Sequence, residues 1–215
     1  MKSTLQEMME WLICIIIAIV LALLVRYYIG TPTIVQQTSM KPTLMPNDRL
    51  WLNRWGRTIK KLPERGDIIT FEAPSVIRLA TIDSENLVAK YNNEPQGLVQ
   101  KFFYYVLEDG SLKKSYIKRV IGLPGDYLEI KEGNVYINGE KLEEDYLQDG
   151  VVTDMAQLNN EEVLAITIPE NYVFAMGDNR TGSTDCRSFG CIPLEKIEGT
   201  VSFRFWPFSK FGGVE

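Results

Sequence analysis

Ser115-Tyr116-Ile117-Lys118-Arg119-Val120-Ile121-Gly122-Leu123-Pro124-Gly125-Asp126 decides the fold class. The β-branched and aromatic run of residues 115–121 predicts a strand, and Gly-Leu-Pro-Gly-Asp a turn into a second strand at Tyr127–Ile130. Alternation puts Tyr116, Lys118 and Val120 on one face of the first strand, and Ile117, Arg119 and Ile121 on the other. Both faces are apolar apart from one cation each, as suits an inner strand. An amine held there loses hydration, which penalises its charged form and can lower a lysine pKa by up to ~3–5 units. A lysine so shifted can take a proton from a serine hydroxyl. Arg119 cannot, because a guanidinium stays protonated.

On either side the chain continues to read as β. Arg49-Leu-Trp-Leu-Asn53 and Asp67-Ile-Ile-Thr-Phe71 are short strands, the second introduced by Arg65-Gly66 and closed by Pro74. Asn134-Val-Tyr-Ile-Asn138-Gly139 is a hairpin arm ending in an Asn-Gly turn. Ala165–Ile168, Tyr172–Met176 and Gly199–Phe205 complete the sheet. Residues 75–115 are less orderly and read as an insertion, with Leu98–Leu107 its better strand. Residues 140–162 are acidic and loop-like. After residue 30 no helical period of useful length appears.

Before residue 30 the pattern changes. Trp11 to Val25 contains no charge, and with Arg26 snorkelling about 19 apolar residues are available, near the ~20 that span a bilayer. Trp11 and the pair Tyr27-Tyr28 stand where interfacial anchors belong. Leu23-Leu24-Val25-Arg26 makes a poor signal-peptide cleavage site, so an uncleaved anchor is expected. The positive-inside rule gives no orientation: Lys2 is offset by Glu7 and Glu10, while Arg26 and Lys41 lie beyond the span. The expected organisation is an anchor over residues 1–30 and a mainly β domain over residues 31–215, with 75–115 inserted.

Composition narrows the chemistry. At 215 residues, 45% hydrophobic and 24% charged, the chain is globular, and with net charge −5 and no basic cluster it does not read as a nucleic-acid binder. It has no histidine, which removes His-based triads and zinc sites. Cys14 lies in the apolar segment. Cys186 and Cys191 fit no common zinc spacing, and whether they pair as a disulfide is open at this point.

A candidate nucleophile lies just past the anchor, in Gln37-Thr38-Ser39-Met40-Lys41-Pro42-Thr43-Leu44, read as a strand giving way to a turn. Lys41 beside it is a poor base because a turn leaves it solvated. Ser111-Leu-Lys-Lys114 has the Ser-x-x-Lys spacing of penicillin-recognising enzymes, but their other motifs are missing. A third element, Gly177-Asp178-Asn179-Arg180-Thr181-Gly182-Ser183-Thr184-Asp185-Cys186-Arg187, follows an apolar strand. It is suited to orient an amine through a hydroxyl and to brace itself with an Asp–Arg pair. It lacks the terminal glutamate of a calcium loop.

Taken together, these boxes resemble the bacterial type I signal peptidases, membrane-bound Ser/Lys leader peptidases. Ser39-Met40-x-Pro42-Thr43-Leu44, Arg65-Gly66-Asp67-Ile68, Tyr116–Asp126 and Gly177-Asp178-Asn179-Arg180-x-x-Ser183-x-Asp185-x-Arg187 occur in that family's order, and the resemblance runs on to Trp206-Pro207. It implies a β-fold catalytic core tethered outside the cytoplasmic membrane. There it would remove signal peptides from exported preproteins after a small residue, with no cofactor or metal. Ser39 would be the nucleophile and Lys118 the base. Ser183 would bond the lysine amine, and Asp178, Asp185 and Arg187 would support the site. The Ser39 amide would donate to the oxyanion. Val35, Met40, Leu44, Tyr116 and Ile117 would line the pockets for small side chains. Gln37 stands where many members have a serine oxyanion donor, and Cys186 where the family usually has serine. Alternatives are a processing enzyme dedicated to one substrate such as a pilin, and a non-catalytic membrane-tethered binding module.

Overall fold

The computed structural model describes residues 3–77, 87–92, 94–107, 113–154 and 164–214. It begins with helix α1, Thr4–Leu24, which continues as a π-helical turn over Val25–Ile29. A capping box opens α1: Ser3 accepts from the Gln6 backbone while the Gln6 side chain accepts from Ser3 N–H. Apolar side chains project all round it and none is buried, and its length and apolarity are those of a candidate membrane span.

Strands β1 (Gly30–Ile34) and β2 (Arg49–Asn53) pair antiparallel. After the short helix α2, Trp55–Thr58, comes β3, Ile68–Glu72. The insertion then contributes helix α3, Gly97–Lys101, which runs on as a π-helical segment over Phe102–Leu107. Strand β4 is Ser115–Gly122 and β5 is Tyr127–Lys131; β6, Asn134–Ile137, turns into β7, Glu140–Lys141. Then follow β8 (Leu164–Thr167), β9 (Tyr172–Met176), helix α4 (Cys186–Phe189), β10 (Ile192–Pro193) and β11 (Ile197–Trp206).

One sheet has the order β1-β2-β11-β3-β4-β9-β10, and a second has β7-β6-β5-β8. The main core fills the space between them with Ile69, Phe71, Val120, Leu128, Ile166, Val173 and Phe174 among others. A smaller core of Val35, Met40, Leu44, Leu50 and Ile68 packs under the turn that carries Ser39. The Asn138-Gly139 turn has both residues at positive φ, 54° and 86°, the two-residue hairpin geometry for which that pair is suited.

Three readings need correction or refinement. Leu98–Leu107 is helical, not a strand. Its aromatic and β-branched residues suit either state, but a helix satisfies its own backbone and needs only one side buried, here through Tyr104. Among the described residues, the limb of the insertion that joins the sheet is instead 87–89. Leu87 and Ala89 are buried, and Cys191 N–H and Ala89 N–H bond Leu87 O and Cys191 O. Cys186 and Cys191 are both free thiols, buried in the core. Residues 78–86, 108–112 and 155–163, which include Ser111 and parts of the insertion and acidic stretch, lie outside the described residues.

Candidate active site

Lys118 reaches the site from the middle of β4. Its partners β3 and β9 flank that strand differently: β3 pairs along residues 115–119, whereas β9 pairs only from Arg119 onward. The β9-side edge of residues 115–118 is thus left open at the point where Lys118 emerges. Ser39 comes from the other side, five residues past the end of β1, in a turn closed by bonds from Lys41 N–H to Thr38 O and from Leu44 N–H to Met40 O. Lys41–Pro42 is cis. Met40 and Leu44 are fully buried beneath this turn and fix its height. The third element grips it from above: Asn179 N–H donates to Ser39 O at 3.0 Å, and Asn179 Nδ2 donates to Thr38 O at 3.2 Å.

The result is a direct contact. Lys118 Nζ donates to Ser39 Oγ at 2.8 Å and to Ile117 O at 2.9 Å. Lys118 is 1% exposed and Ser39 5%. Burial lowers the Lys118 pKa from an ordinary 10.5 to about 8, against the opposing pull of Asp185, Cys186 and Asp178. The Tyr116 ring, 5.4 Å from Nζ, covers the amine.

The carboxylates around this amine are already committed. Asp185 accepts Arg187 Nε and Nη2, both at 2.9 Å, and Gly177 N–H at 3.1 Å. Burial alone would raise its pKa. Arg187, Gly177 and the Ser183 hydroxyl, which also bonds it, overcome that and hold the carboxyl below the usual range. Ser183 is buried against Gly177, so close that a Cβ on Gly177 would lie 2.2 Å from Ser183 Oγ and 2.4 Å from Ser39 O. Only glycine fits there. Arg187 continues to Arg180 O at 2.7 Å and Asp154 O at 3.0 Å.

Several contributors escaped the sequence reading. Asp178 is paired by Arg119, dismissed there as a base, and accepts the Thr43 hydroxyl at 2.5 Å. Arg119 stacks its guanidinium 4.0 Å over Tyr146, whose hydroxyl donates to Glu144, and Glu144 in turn pairs with Arg180. The acidic stretch thus reaches the back of the loop that starts at Gly177. Its signal in sequence was only an uncompensated run of carboxylates near residue 144.

Beside Ser39 runs a groove of about 530 Å³ between residues 31–37 and 113–117. Val35, Gln37, Tyr116 and Ile117 line it. Met40 and Leu44, expected as pocket residues, are fully buried in the small core under the turn, a core that also contains the groove residue Val35.

Comparison with known proteins places this geometry in context. The family model described as "Signal peptidase, peptidase S26" matches residues 8–206. The chain is 33% identical to signal peptidase IB of Staphylococcus aureus over 96% of this chain and 93% of that protein. It is 32% identical to a probable signal peptidase I-1 of Synechocystis over 92% and 82% of the two chains. The crystal structure of a signal peptidase I from Enterococcus faecalis is 26% identical and overlaps with a TM-score of 0.39, covering 66% of this chain and 98% of that one.

Proposed function

The chain belongs to the signal peptidase family of serine peptidases, and from that premise we propose that it removes N-terminal signal peptides from exported preproteins with a Ser39/Lys118 dyad, while anchored in the cytoplasmic membrane by α1 with its β domain on the extracytoplasmic side. The observation that carries the dyad is the 2.8 Å contact between Lys118 Nζ and Ser39 Oγ in a water-poor site. With the amine neutral, the contact reverses and the hydroxyl donates to Nζ. Lys118 takes the Ser39 proton as Oγ attacks the scissile carbonyl, forming a tetrahedral oxyanion that the Ser39 amide stabilises. As the intermediate collapses, the C–N bond breaks and the Lys118 ammonium gives its proton to the leaving amine. Water then attacks the acyl-enzyme, with Lys118 again the base.

The other residues position this pair. Asp185, held by Arg187, and Asp178, held by Arg119, are committed as acceptors in these ion pairs and do not take the proton from Ser39 themselves. Ser183, between Gly177 and Asp185, is assigned to orient the amine. Substrate enters as an extended strand: β1 is a sheet edge, and the edge of β4 at residues 115–118 is open, so a peptide between them adds to both. Val35, Tyr116 and Ile117 leave shallow apolar space, which favours small side chains before the cleaved bond. Met40 and Leu44 form the floor beneath. No metal or cofactor has a part in this scheme, and cleavage should persist in EDTA.

The test is cleavage of a secretory preprotein in detergent by the wild type, Ser39→Ala and Lys118→Ala. Folded variants that lose nearly all activity support the dyad. A Lys118→Ala enzyme that keeps its rate refutes the choice of base, and a wild type inactive on several precursors refutes the substrate class.

A further inference from the structure

The insertion places an apolar helix at the foot of the proposed anchor. From Gly97 to Leu107 the chain is continuously helical. Leu98 is 87% exposed and Val99 72%, and Phe102 and Phe103 are also open to solvent. At 3.6 residues per turn these four fall within an arc of about 140°. Tyr104 points the opposite way. It is buried, its hydroxyl donates to Glu72 at 2.7 Å, and the Lys113 ammonium lies 5.5 Å from its ring. The helix is therefore pinned to the domain by one side, and its apolar side has no protein cover among the described residues.

Its position identifies the cover. Arg26, at the end of the apolar span, donates to Leu107 O at 2.8 Å. The same end of α1 is held by Arg57, which donates to Tyr27 O at 2.7 Å and stacks on its ring, and by Thr58, which donates to Tyr28 O at 3.1 Å. Tyr27 and Tyr28 stand where a bilayer interface meets a spanning helix. A helix tied to Arg26 lies at that same level. Leu, Val and two Phe on one face, with Gln100 and Lys101 beside them, form the composition that rests in the boundary between headgroups and acyl chains.

We propose that the helix from Gly97 to Leu107 is a second membrane contact, seated in the bilayer interface beside α1 through Leu98, Val99, Phe102 and Phe103. This rests on α1 being the anchor. Two contacts, rather than one tether, restrict rotation of the β domain about α1 and so hold the substrate groove at a set orientation to the membrane, where a signal peptide emerges.

The test uses the full chain in vesicles of phosphatidylethanolamine and phosphatidylglycerol, with an environment-sensitive fluorophore at one cysteine. Three positions are compared: native Cys14 in α1, and, on a Cys14→Ser background, Val99→Cys and Glu140→Cys in β7. Expected at Val99 is a blue shift, with quenching by doxyl lipid stronger for shallow than for deep doxyl groups. Cys14 should be quenched by the deep groups, and Glu140 only by aqueous iodide. Iodide quenching at Val99 equal to that at Glu140, with Cys14 still quenched from lipid, overturns the proposal alone. If Cys14 is not reached from lipid, the anchor reading falls and takes the proposal with it. Protection at Val99 that disappears as protein is diluted at constant lipid identifies a second copy as the cover, and also overturns it. A Leu98→Ser/Phe102→Ser pair on the labelled Val99→Cys chain should reduce shallow quenching several-fold; unchanged quenching would show that this face is not what binds.

Discussion

Arg119 and Asp178 form a buried bidentate ion pair, Nε to Oδ1 at 3.0 Å and Nη2 to Oδ2 at 2.9 Å, one residue away from Lys118. Two adjacent cations on β4 thus meet opposite fates: Arg119 is fully paired, whereas Lys118 contacts a hydroxyl and a carbonyl. Arg119→Met leaves Asp178 without its counter-charge in a site where it is 2% exposed. Removing one member of a buried pair costs about 3–5 kcal/mol. Denaturant unfolding in detergent should show that loss, and a combined Arg119→Met/Asp178→Leu variant should recover much of it. Single variants within about 0.5 kcal/mol of wild type would mean that the pair is not buried as described.

The pH dependence of cleavage follows from Lys118. In the proposed dyad Lys118 must be neutral to accept the Ser39 proton, and its pKa in the folded protein is about 8. Activity should therefore rise with pH, about tenfold per unit below 8, and level off above it. A profile of kcat/KM on a short peptide substrate measures this limb. A flat profile between pH 6 and pH 9, about two decades of predicted change at the acid end, would exclude Lys118 as the titrating base.

Stability should move with the same group. The folded pKa, about 8, lies below the unfolded value near 10.5, so between these the unfolded chain binds more protons and stability rises with pH. Below pH 8 the folded state carries a charged, buried amine at a cost of about 3 kcal/mol. Lys118→Met removes that cost. The variant should be more stable than wild type at pH 7, with the difference shrinking as pH climbs towards 10.5. Paired denaturation curves at pH 7 and pH 10 test it, and a constant difference would contradict the linkage.

The strands were legible because each has a local signature. Apolar runs bounded by Arg65-Gly66, by Gly122–Asp126 and by Asn138-Gly139 place β3 to β6 within a residue or two. The helix at Gly97–Leu107 was not, since Phe, Tyr, Val and Leu serve both states and no periodicity in the run decides between them. Ser39, Lys118 and the loop from Gly177 were singled out through motif order, and the fold brings the three together. What binds them was hidden by distance along the chain: Arg119 and Asp178 are separated by 59 residues, and Glu144 and Arg180 by 36. Pairing at that range leaves no periodicity to read. Met40 and Leu44 were assigned to the substrate pocket through the family resemblance; that both lie fully buried beneath the turn leaves no mark in the sequence.

Two glycines separate catalytic from structural crowding. A Cβ at Gly122 would meet Ile168 Cδ1 at 2.2 Å, within the main core, whereas at Gly177 it would press on Ser183 Oγ and Ser39 O. The core can yield by moving the end of a side chain; at Gly177 the yielding group is the backbone of Ser39. Gly122→Ala should lower the unfolding midpoint while each folded molecule keeps its kcat. Gly177→Ala should displace Ser39 from Lys118, and a shift of about 1 Å in a reacting atom costs on the order of 10²-fold in rate. Its loss should appear in kcat more than in KM, because the groove between residues 31–37 and 113–117 is untouched. Equal kcat for both variants, after normalising for the folded fraction, would mean that the Gly177 contact does not set the nucleophile's position.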